Sequence, residues 1–216
     1  MKPCPALALT FAALLLGGCA SSGSAGHPAV WMPNVYRTSN ALPAGLRRVA
    51  VLPVTCESGV DAEAGRDALQ PVLLAELSKT GAFQVVPVGP EDMRALTGRS
   101  FWSANEVLPS DFFERLRKAT ACDAVLFCQL KHFRAYPPVA VGWDLKLVEA
   151  DHRSILWALD EVFDAGQPSI ACAAQHYYAQ ATRPPSSLGD AQLVLLSPRL
   201  FGQYAAASSL AAMPAR

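Results

Sequence analysis

Residues 122–166, CDAVLFCQLKHFRAYPPVAVGWDLKLVEADHRSILWALDEVFDAG, show the strongest alternation of apolar and polar residues in the chain. The alternation predicts three consecutive antiparallel strands, at Asp123–Ala135, Val139–Glu149 and Ser154–Phe163. Tyr136-Pro137-Pro138 interrupts the first pair, because proline fixes φ and has no N–H for a ladder, and residues 149–153 turn the second pair. The segment therefore predicts a β-meander.

The second and third predicted strands each have an apolar side. The residues on these sides are Val141, Trp143, Leu145 and Leu147 in the second strand, and Ile155, Trp157, Leu159 and Phe163 in the third. A sheet with an apolar face needs helices to cover it. We expect the chain on both sides of the meander to supply them.

The chain before the meander predicts a strand, a helix and a second strand. Arg47–Val54 is a nearly continuous apolar run, which is typical of a buried strand, and Phe83–Val88 is the second strand. Ala62–Thr80 has apolar residues at helical spacing, and Gly81 stands where a glycine commonly follows a helix. Pro71 lies inside this pattern, so it either kinks the helix or marks a start at the two residues before it.

Four further helices are predicted. They cover Pro90–Thr97, Pro109–Ala121 with Phe112, Phe113 and Leu116 on its buried face, Ser169–Thr182 with Ile170, Cys172, Ala173 and Tyr177, and a last helix capped by Ser197. We expect Ala211–Arg216 to fray. The predicted fold class is α/β (α+β), a small mixed sheet of about five strands with an antiparallel three-strand meander, covered by helices.

The charge of the chain is balanced, with 18 basic and 18 acidic side chains among 216 residues. A nucleic-acid-binding protein would show a basic excess or stripe, so no nucleic-acid partner is expected. The chain is 51% hydrophobic, and part of this content lies in an N-terminal leader. We expect a single folded domain of about 150 to 170 residues.

The leader carries the most specific functional signal. Lys2 precedes an apolar run, Ala6–Leu16, which is too short to span a bilayer as a permanent helix. Leu16-Gly17-Gly18-Cys19 follows directly and resembles the lipobox of bacterial lipoproteins. The resemblance implies a mature protein that starts at Cys19, whose thiol and amino group carry fatty acyl chains such as palmitate. Ala20 follows Cys19, which favours the outer membrane, and the alternative is an ordinary secretory signal cut near Cys19-Ala20.

The predicted organisation has three parts: a signal peptide at residues 1–18, a lipid anchor and flexible tether at 19–46, and a single periplasmic domain at 47–212. The tether is rich in Gly, Ser, Pro and Asn and has no sustained period. As a flexible coil it spans roughly 30 Å, which keeps the domain close to the membrane. Trp31, Met32 and Tyr36 are predicted to pack on the domain surface or to bind a partner.

The mature chain has four further cysteines, Cys56, Cys122, Cys128 and Cys172. An oxidising periplasm permits disulfides, and four cysteines allow three pairings, among which the sequence does not choose. No Cys-x-x-Cys pair occurs, and the spacing of Cys122 and Cys128 suits no common zinc site, so no metal is predicted. Cys128 shares strand register with Leu126 and Leu130, which favours burial.

Several motifs resemble, in their order along the chain, a group of bacterial envelope proteins. These motifs are Arg48-Val49-Ala50-Val51-Leu52-Pro53, Gly81-x-Phe83-x-Val85-Val86, Cys122-Asp123-Ala124-Val125-Leu126 and Ser154-Ile155-Leu156-Trp157. The group includes the LpoB-like activator lipoproteins of penicillin-binding proteins, the curli-secretion lipoproteins and the amino-terminal domain of TolB. The resemblance implies an α/β domain that makes protein–protein contacts and has no catalytic centre. The short tether disfavours contact with an inner-membrane synthase, and the short turns disfavour a pore.

A search for catalytic residues finds weak patterns. His132, His152 and His176 lack the Gly-x-Ser-x-Gly motif that would accompany a serine nucleophile. His132 is predicted to be partly buried and His152 to lie in a solvated turn. Four carboxylates suggest a pair for glycan hydrolysis, but their alternation is more typical of a solvated strand face; they are Asp144, Asp160, Glu161 and Asp164. We predict no enzyme, catalytic residue, cofactor or metal site.

The sequence therefore predicts a non-enzymatic outer-membrane lipoprotein, anchored at Cys19, whose periplasmic domain binds envelope proteins in the assembly or regulation of a cell-envelope machine. One alternative is a structural subunit that self-associates into a ring or scaffold at the outer membrane. Another is an activator of a peptidoglycan synthase. Apolar area exposed on the open face of the sheet would favour the first two functions.

Overall fold

The predicted meander lies within a seven-stranded mixed sheet. The structure, a computed structural model, describes residues 34–56, 60–181 and 192–216. The strands are β1 (Val35–Arg37), β2 (Arg48–Val51), β3 (Thr55–Cys56), β4 (Gln84–Pro87), β5 (Ala124–Arg134), β6 (Ala140–Glu149) and β7 (Ile155–Asp164). They follow the order β1-β7-β6-β5-β2-β4, and β3 pairs separately with β5. The predicted fold class is confirmed, with the short strands β1 and β3 in addition.

The strand pairing follows the predicted pattern. The pairs β5–β6 and β6–β7 are antiparallel, and β1 is antiparallel to β7. The strand β2 is parallel to both β4 and β5, and its residues Val49, Ala50 and Val51 are buried. A central parallel strand covered on both faces accounts for the continuous apolar run seen in the sequence.

Five helices are described. They are α1 (Val60–Lys79), α2 (Pro90–Thr97), α3 (Phe112–Thr120), α4 (Pro168–Ala181) and α5 (Pro198–Ala211). Pro71 lies inside α1, which continues through it. We attribute this to the packing of Leu69, Leu73 and Leu77, which are buried in the core and stabilise the helix despite the missing N–H. The helix α3 begins at Phe112, after a turn in which the Phe112 N–H bonds to the Pro109 carbonyl.

The main core lies between one face of the sheet, here called the inner face, and the helices α1, α4 and α5. The tryptophans Trp143 and Trp157 are fully buried there, as are Leu69, Phe163 and Phe201. A smaller second core covers the opposite face, the outer face, over β2 and β5. It contains Met93, Trp102, Phe112, Phe113, Leu116 and Phe127. The predicted apolar sides of the meander strands therefore form most of the main core.

Two β-bulges move side chains that the simple alternation assigns to the inner face. The β5–β6 register shifts between Leu130 and His132, and the β6–β7 register shifts between Leu147 and Val148. His132 is exposed, so its predicted partial burial is wrong, and Phe133 packs against the core instead. Ile155 is likewise exposed, and its neighbour Leu156 is buried. An extra residue in one strand reverses the facing of the side chains beyond it.

The predicted face of α3 is confirmed, but that of α4 needs correction. Ile170 and Ala174 are buried, whereas Cys172 and Ala173 are exposed. Residues four apart share one side of a helix, so Cys172 lies away from the side that packs on the sheet. The N-cap of α5 is as predicted, because the Ser197 hydroxyl accepts a hydrogen bond from the Leu200 N–H at 3.4 Å.

Residues 34–46 and 211–216 are more ordered than the sequence predicts. Residues 35–37, assigned to the tether, form β1, and Leu42 and Leu46 are buried in the main core. The predicted fraying of residues 211–216 is wrong, because Ala212 is buried and the Leu42 N–H donates to the Ala215 carbonyl at 2.7 Å. The segment that follows β1 and the C-terminal segment are therefore bonded to each other and pack against the helices.

Several predictions concern residues outside those that the structure describes. They are the leader and lipobox with Cys19, the tether residues Trp31 and Met32, and the segment 183–187 that follows α4. The division of the chain into signal peptide, tether and domain stays a prediction. Among the helices within the described ranges, none combines the length and apolar character needed to cross a bilayer.

Candidate functional site

The outer face of the sheet is open over β7 and β1, because the second core covers β2, β5 and one end of β6. Five residues on this open area form what we call the outer stripe: Tyr36, Ile155, Ala158, Asp160 and Val162. Tyr36 is 56% exposed, Val162 43% and Ile155 40%. Such a row of exposed apolar side chains on a strand face marks a candidate binding surface.

Two carboxylates lie side by side here, Asp160 in the outer stripe and Asp144 next to it. Asp144 on β6 is directly opposite Asp160 on β7. Each has its own lysine: Lys146 Nζ lies 3.4 Å from Asp144 Oδ2, and Lys131 Nζ lies 2.7 Å from Asp160 Oδ2. Like charges that face each other across a strand pair are destabilising, so the two lysines stabilise this arrangement.

The loop at residues 99–108 covers Asp144. The Asn105 amide donates to Asp144 Oδ2 at 3.2 Å, and Lys146 donates to the Asn105 side-chain oxygen. Asp144 is 8% exposed, so the prediction that it faces solvent is wrong. The alternation predicts the direction of the side chain correctly, but it does not indicate that a loop closes over that face.

The space between this loop and the sheet is small. A cavity of about 10 Å³ lies among Thr55, Ser103, Asn105, Gln129 and Asp144. That volume is about enough for one water molecule and not for a sugar ring. Of the two carboxylates that most resemble a glycosidase pair, Asp144 therefore lies beside a cavity that has no room for a glycan, and both are joined to lysines.

The other predicted carboxylates lie on β7 and have structural partners. Glu161 accepts a hydrogen bond from the Asn34 N–H at 3.0 Å, where the chain enters β1. Asp164 is ion-paired with Arg134 at 2.8 Å and accepts from the Gly166 N–H at 2.8 Å. Burial opposes the charge of Asp164, but these hydrogen bonds and the Arg134 guanidinium outweigh it and lower the pKa of the carboxyl.

The histidines do not come together. His152 is exposed in the β6–β7 turn, as predicted, and His176 lies exposed on α4 beside Gln180. The described cysteines are free in the structure, and Cys128 is fully buried, as predicted, where burial raises the pKa of its thiol. Within residues 34–56, 60–181 and 192–216, no group of three or more His, Cys, Asp or Glu could hold a metal ion.

A second concave region lies between the C-terminal ends of α1 and α5. This groove, of about 440 Å³, is lined by Leu210, Met213 and Pro214 and by the charged Lys79 and Arg216. The buried Glu76 beside it bonds Lys79 at 2.6 Å and Gln203 at 2.9 Å, and the hydrogen bond to Glu76 raises the pKa of Lys79. These polar groups tie α1 to α5, so we assign them a structural role.

The sequence did not identify the outer stripe. The sequence assigns Tyr36 to the tether and indicates no role for Val162. The sequence signal for this surface is alternation in two places. One is Val35-Tyr36-Arg37. The other is the end of β7, where Val162 lies between two charged or polar positions on the outward side. These two segments indicate a shared surface only when β1 is paired with β7.

Comparison with known proteins gives distant structural similarity. No family model and no curated protein sequence matches the chain. A PelC dodecamer from Paraburkholderia phytofirmans is 15% identical, with a TM-score of 0.47 and coverage of 86% of this chain and 100% of that chain. Lipoprotein GNA1162 from Neisseria meningitidis is 18% identical, with a TM-score of 0.41 and coverage of 65% and 98%.

The LpoB C-terminal domain from Salmonella enterica is also similar, at 16% identity and a TM-score of 0.35, with coverage of 55% of this chain and 85% of that chain. At these identities and TM-scores, the similarities assign neither a family nor an activity to this chain.

Proposed function

We propose that this protein is a non-enzymatic outer-membrane lipoprotein, anchored through Cys19, whose periplasmic domain binds another envelope protein. The observation that carries the proposal is the outer stripe. Tyr36, Ile155 and Val162 expose apolar area on a rigid strand face, and the ion pair of Lys131 and Asp160 lies among them. Aromatic and apolar side chains around a charged pair are typical of a protein-binding surface.

The position of the stripe supports protein binding. It lies on β7 and on β1, which is an edge strand of the described sheet. The register with β7 leaves the backbone groups of Val35 and Arg37 directed away from the sheet. A partner that packs on the stripe could also bond to this edge.

The leader supports the location. Leu16-Gly17-Gly18-Cys19 follows an apolar run of signal-peptide length, and the residue after the cysteine is Ala20. Several acyl chains on one cysteine hold a protein on a membrane far more firmly than a single chain does.

The arrangement of the carboxylates supports a non-enzymatic role. Asp144 and Asp160 are bonded to Lys146 and Lys131, and the cavity of about 10 Å³ beside Asp144 has no room for a substrate larger than water. A carboxylate pair in a glycosidase instead flanks the scissile bond of the sugar.

The experiment that tests the proposal is photocrosslinking in intact cells that produce the full-length protein. Benzoylphenylalanine replaces Tyr36 in one strain. In the matched control it replaces Glu91, whose side chain is 82% exposed on α2, away from the stripe. We expect one envelope protein to be crosslinked from position 36 and not from position 91. The substitution Val162→Asp in the same strain should abolish the crosslink.

The identity of the captured protein separates the alternatives. A peptidoglycan synthase would favour the activator function, and a second copy of this chain would favour the self-associating ring or scaffold. Equal capture at both positions, or a crosslink unaffected by Val162→Asp, would contradict binding at the outer stripe.

A further inference from the structure

One end of the sheet, here called the tip end, carries the β5–β6 turn. Residues 135–138 in this turn are exposed, and Tyr136 is 67% exposed. The strand β7 runs parallel to β5 in space, because both are antiparallel to β6, and so its last residue, Asp164, lies at the same end. Arg134 and Asp164 form an ion pair just before the turn.

The chain enters the described part of the domain from the tip end. The strand β1 is antiparallel to β7, with Val35 opposite Leu159 and Arg37 opposite Trp157. The Asp160 N–H donates to the Asn34 carbonyl at 3.0 Å, so Asn34 lies level with Asp160. Asp164 lies four positions further along β7, a distance of about 13 Å along the strand.

Two further exposed apolar residues lie at the tip end, on a different part of the chain. The Tyr204 ring packs on Phe163 with their centroids 5.8 Å apart, and the Ala212 carbonyl accepts from Arg37 Nε at 2.8 Å. The helix α5 therefore runs away from the tip end, and the residues before it lie toward that end. Leu193 and Leu196 in this preceding turn are 47% and 57% exposed.

The exposed residues at this end have the composition of a membrane interface. Tyr136 and the two leucines supply an aromatic ring and aliphatic side chains, and Arg199 is exposed in the first turn of α5. Tyrosine is enriched where proteins meet lipid headgroups, because its ring is apolar and its hydroxyl is hydrated. An arginine beside it can bind lipid phosphate.

The distance from the tip end to the proposed anchor at Cys19 also favours membrane lipid as the ligand. Asn34 is fifteen residues from Cys19. A chain of that length reaches at most about 50 Å. That reach exceeds the roughly 13 Å along β7 between the level of Asn34 and the tip end, so an anchor at Cys19 keeps the membrane within reach of the tip end.

We propose that the tip end, formed by Tyr136, Leu193, Leu196 and Arg199, rests on the phospholipid surface that holds Cys19. This inference rests on the proposed function, because the anchor supplies the proximity. It deepens that function by assigning an orientation: β5 and β7 run toward the membrane, and the outer stripe faces sideways into the periplasm, where a partner can reach it.

The test uses the protein purified from the envelopes of cells that express the full-length chain and reconstituted into vesicles of phosphatidylethanolamine and phosphatidylglycerol. Benzoylphenylalanine replaces Tyr136 in one sample and Tyr36 in the matched control, because both are exposed tyrosines of the same domain. After irradiation, lipid adducts are quantified by mass spectrometry. We expect several-fold more lipid adduct at position 136 than at position 36, and the double variant Leu193→Ser, Leu196→Ser should reduce the adduct at 136.

The mass of the mature protein, measured in the same samples, separates the two proposals. A protein without acyl chains on Cys19 would contradict the anchoring and, with it, this inference. An acylated protein with equal lipid adducts at both positions, or with a crosslink from position 136 to a second copy, would overturn the membrane contact alone.

Discussion

Asp144 and Asp160 face each other directly across β6 and β7, and each carboxylate is bonded to its own lysine. Their surroundings differ, because the Asp144 side chain is 9% exposed beneath the loop at 99–108 and the Asp160 side chain is 45% exposed. The Asp144–Lys146 pair is therefore largely buried, and the Asp160–Lys131 pair lies at the surface.

This difference in exposure predicts that loss of Lys146 destabilises the protein more than loss of Lys131 does. Lys146→Met should lower the free energy of unfolding by about 1 to 3 kcal/mol, because it leaves a buried carboxylate without its cation. Lys131→Met should lower it by less than about 1 kcal/mol, because water solvates Asp160. Urea denaturation of the two variants measures the order. Adding Asp144→Asn to Lys146→Met should recover part of the loss, and equal losses in the two single variants would contradict the assignment.

The close packing of α1 against α5 predicts that a larger residue at their contact destabilises the folded protein. A Cβ added at Gly202 would lie 2.3 Å from Leu69 Cδ2, and Leu69 is fully buried, so it has little room to move. We expect Gly202→Ala to destabilise the protein by about 1 to 2 kcal/mol, because overpacking outweighs the gain in helix propensity. Thermal or chemical denaturation measures the change.

The matched control for that variant is Gly45→Ala. A Cβ at Gly45 has nothing within 4 Å. Its effect should stay within about 0.5 kcal/mol, as for most surface substitutions. A Gly202→Ala protein as stable as the control would mean that α1 and α5 pack less closely than described.

The ion pair of Asp164 and Arg134 predicts a pH dependence. The pKa of the Asp164 carboxyl is lower in the folded protein than its ordinary value, so its stabilisation is full above the unfolded pKa of about 3.9 and is lost as the pH falls through the folded pKa. Asp164→Asn should cost up to about 1 kcal/mol at pH 7. The difference from the unsubstituted protein should shrink below about pH 4.

Unfolding free energies measured from pH 7 to pH 3 check this result. Arg134→Gln should show the same convergence at low pH, because it removes the other half of the pair. A difference that widens on acidification would show that Asp164 does not carry the effect.

The C-terminal segment predicts a cost of truncation. A chain that stops after Pro214 loses the hydrogen bond from the Leu42 N–H to Ala215 and that from Arg216 to the Ala82 carbonyl, at 2.7 Å and 2.8 Å. We expect a loss of about 1 to 3 kcal/mol in the free energy of unfolding. Arg216→Ala should cost less, because Leu42 keeps its partner. An unchanged stability of the truncated protein would support the fraying that the sequence predicts.

The sequence by itself determined the meander, the fold class and most of the core. The alternation around Trp143 and Trp157 places these side chains on one face whatever covers them, because successive residues of a strand point to opposite sides. The starts of α2 and α5 and the glycines after α1 and α2 are equally local, since capping depends on a few neighbouring residues.

The tertiary structure decided what lies beyond local pattern. The bulges that turn out His132 and Ile155 depend on the pairing of two strands, which one strand's sequence does not contain. The burial of Asp144 depends on a loop about forty residues earlier in the chain. Tyr36 belongs to the outer stripe because β1 pairs with the edge of β7. The sequence does not indicate this pairing, because a strand of three residues is too short to show a period of its own.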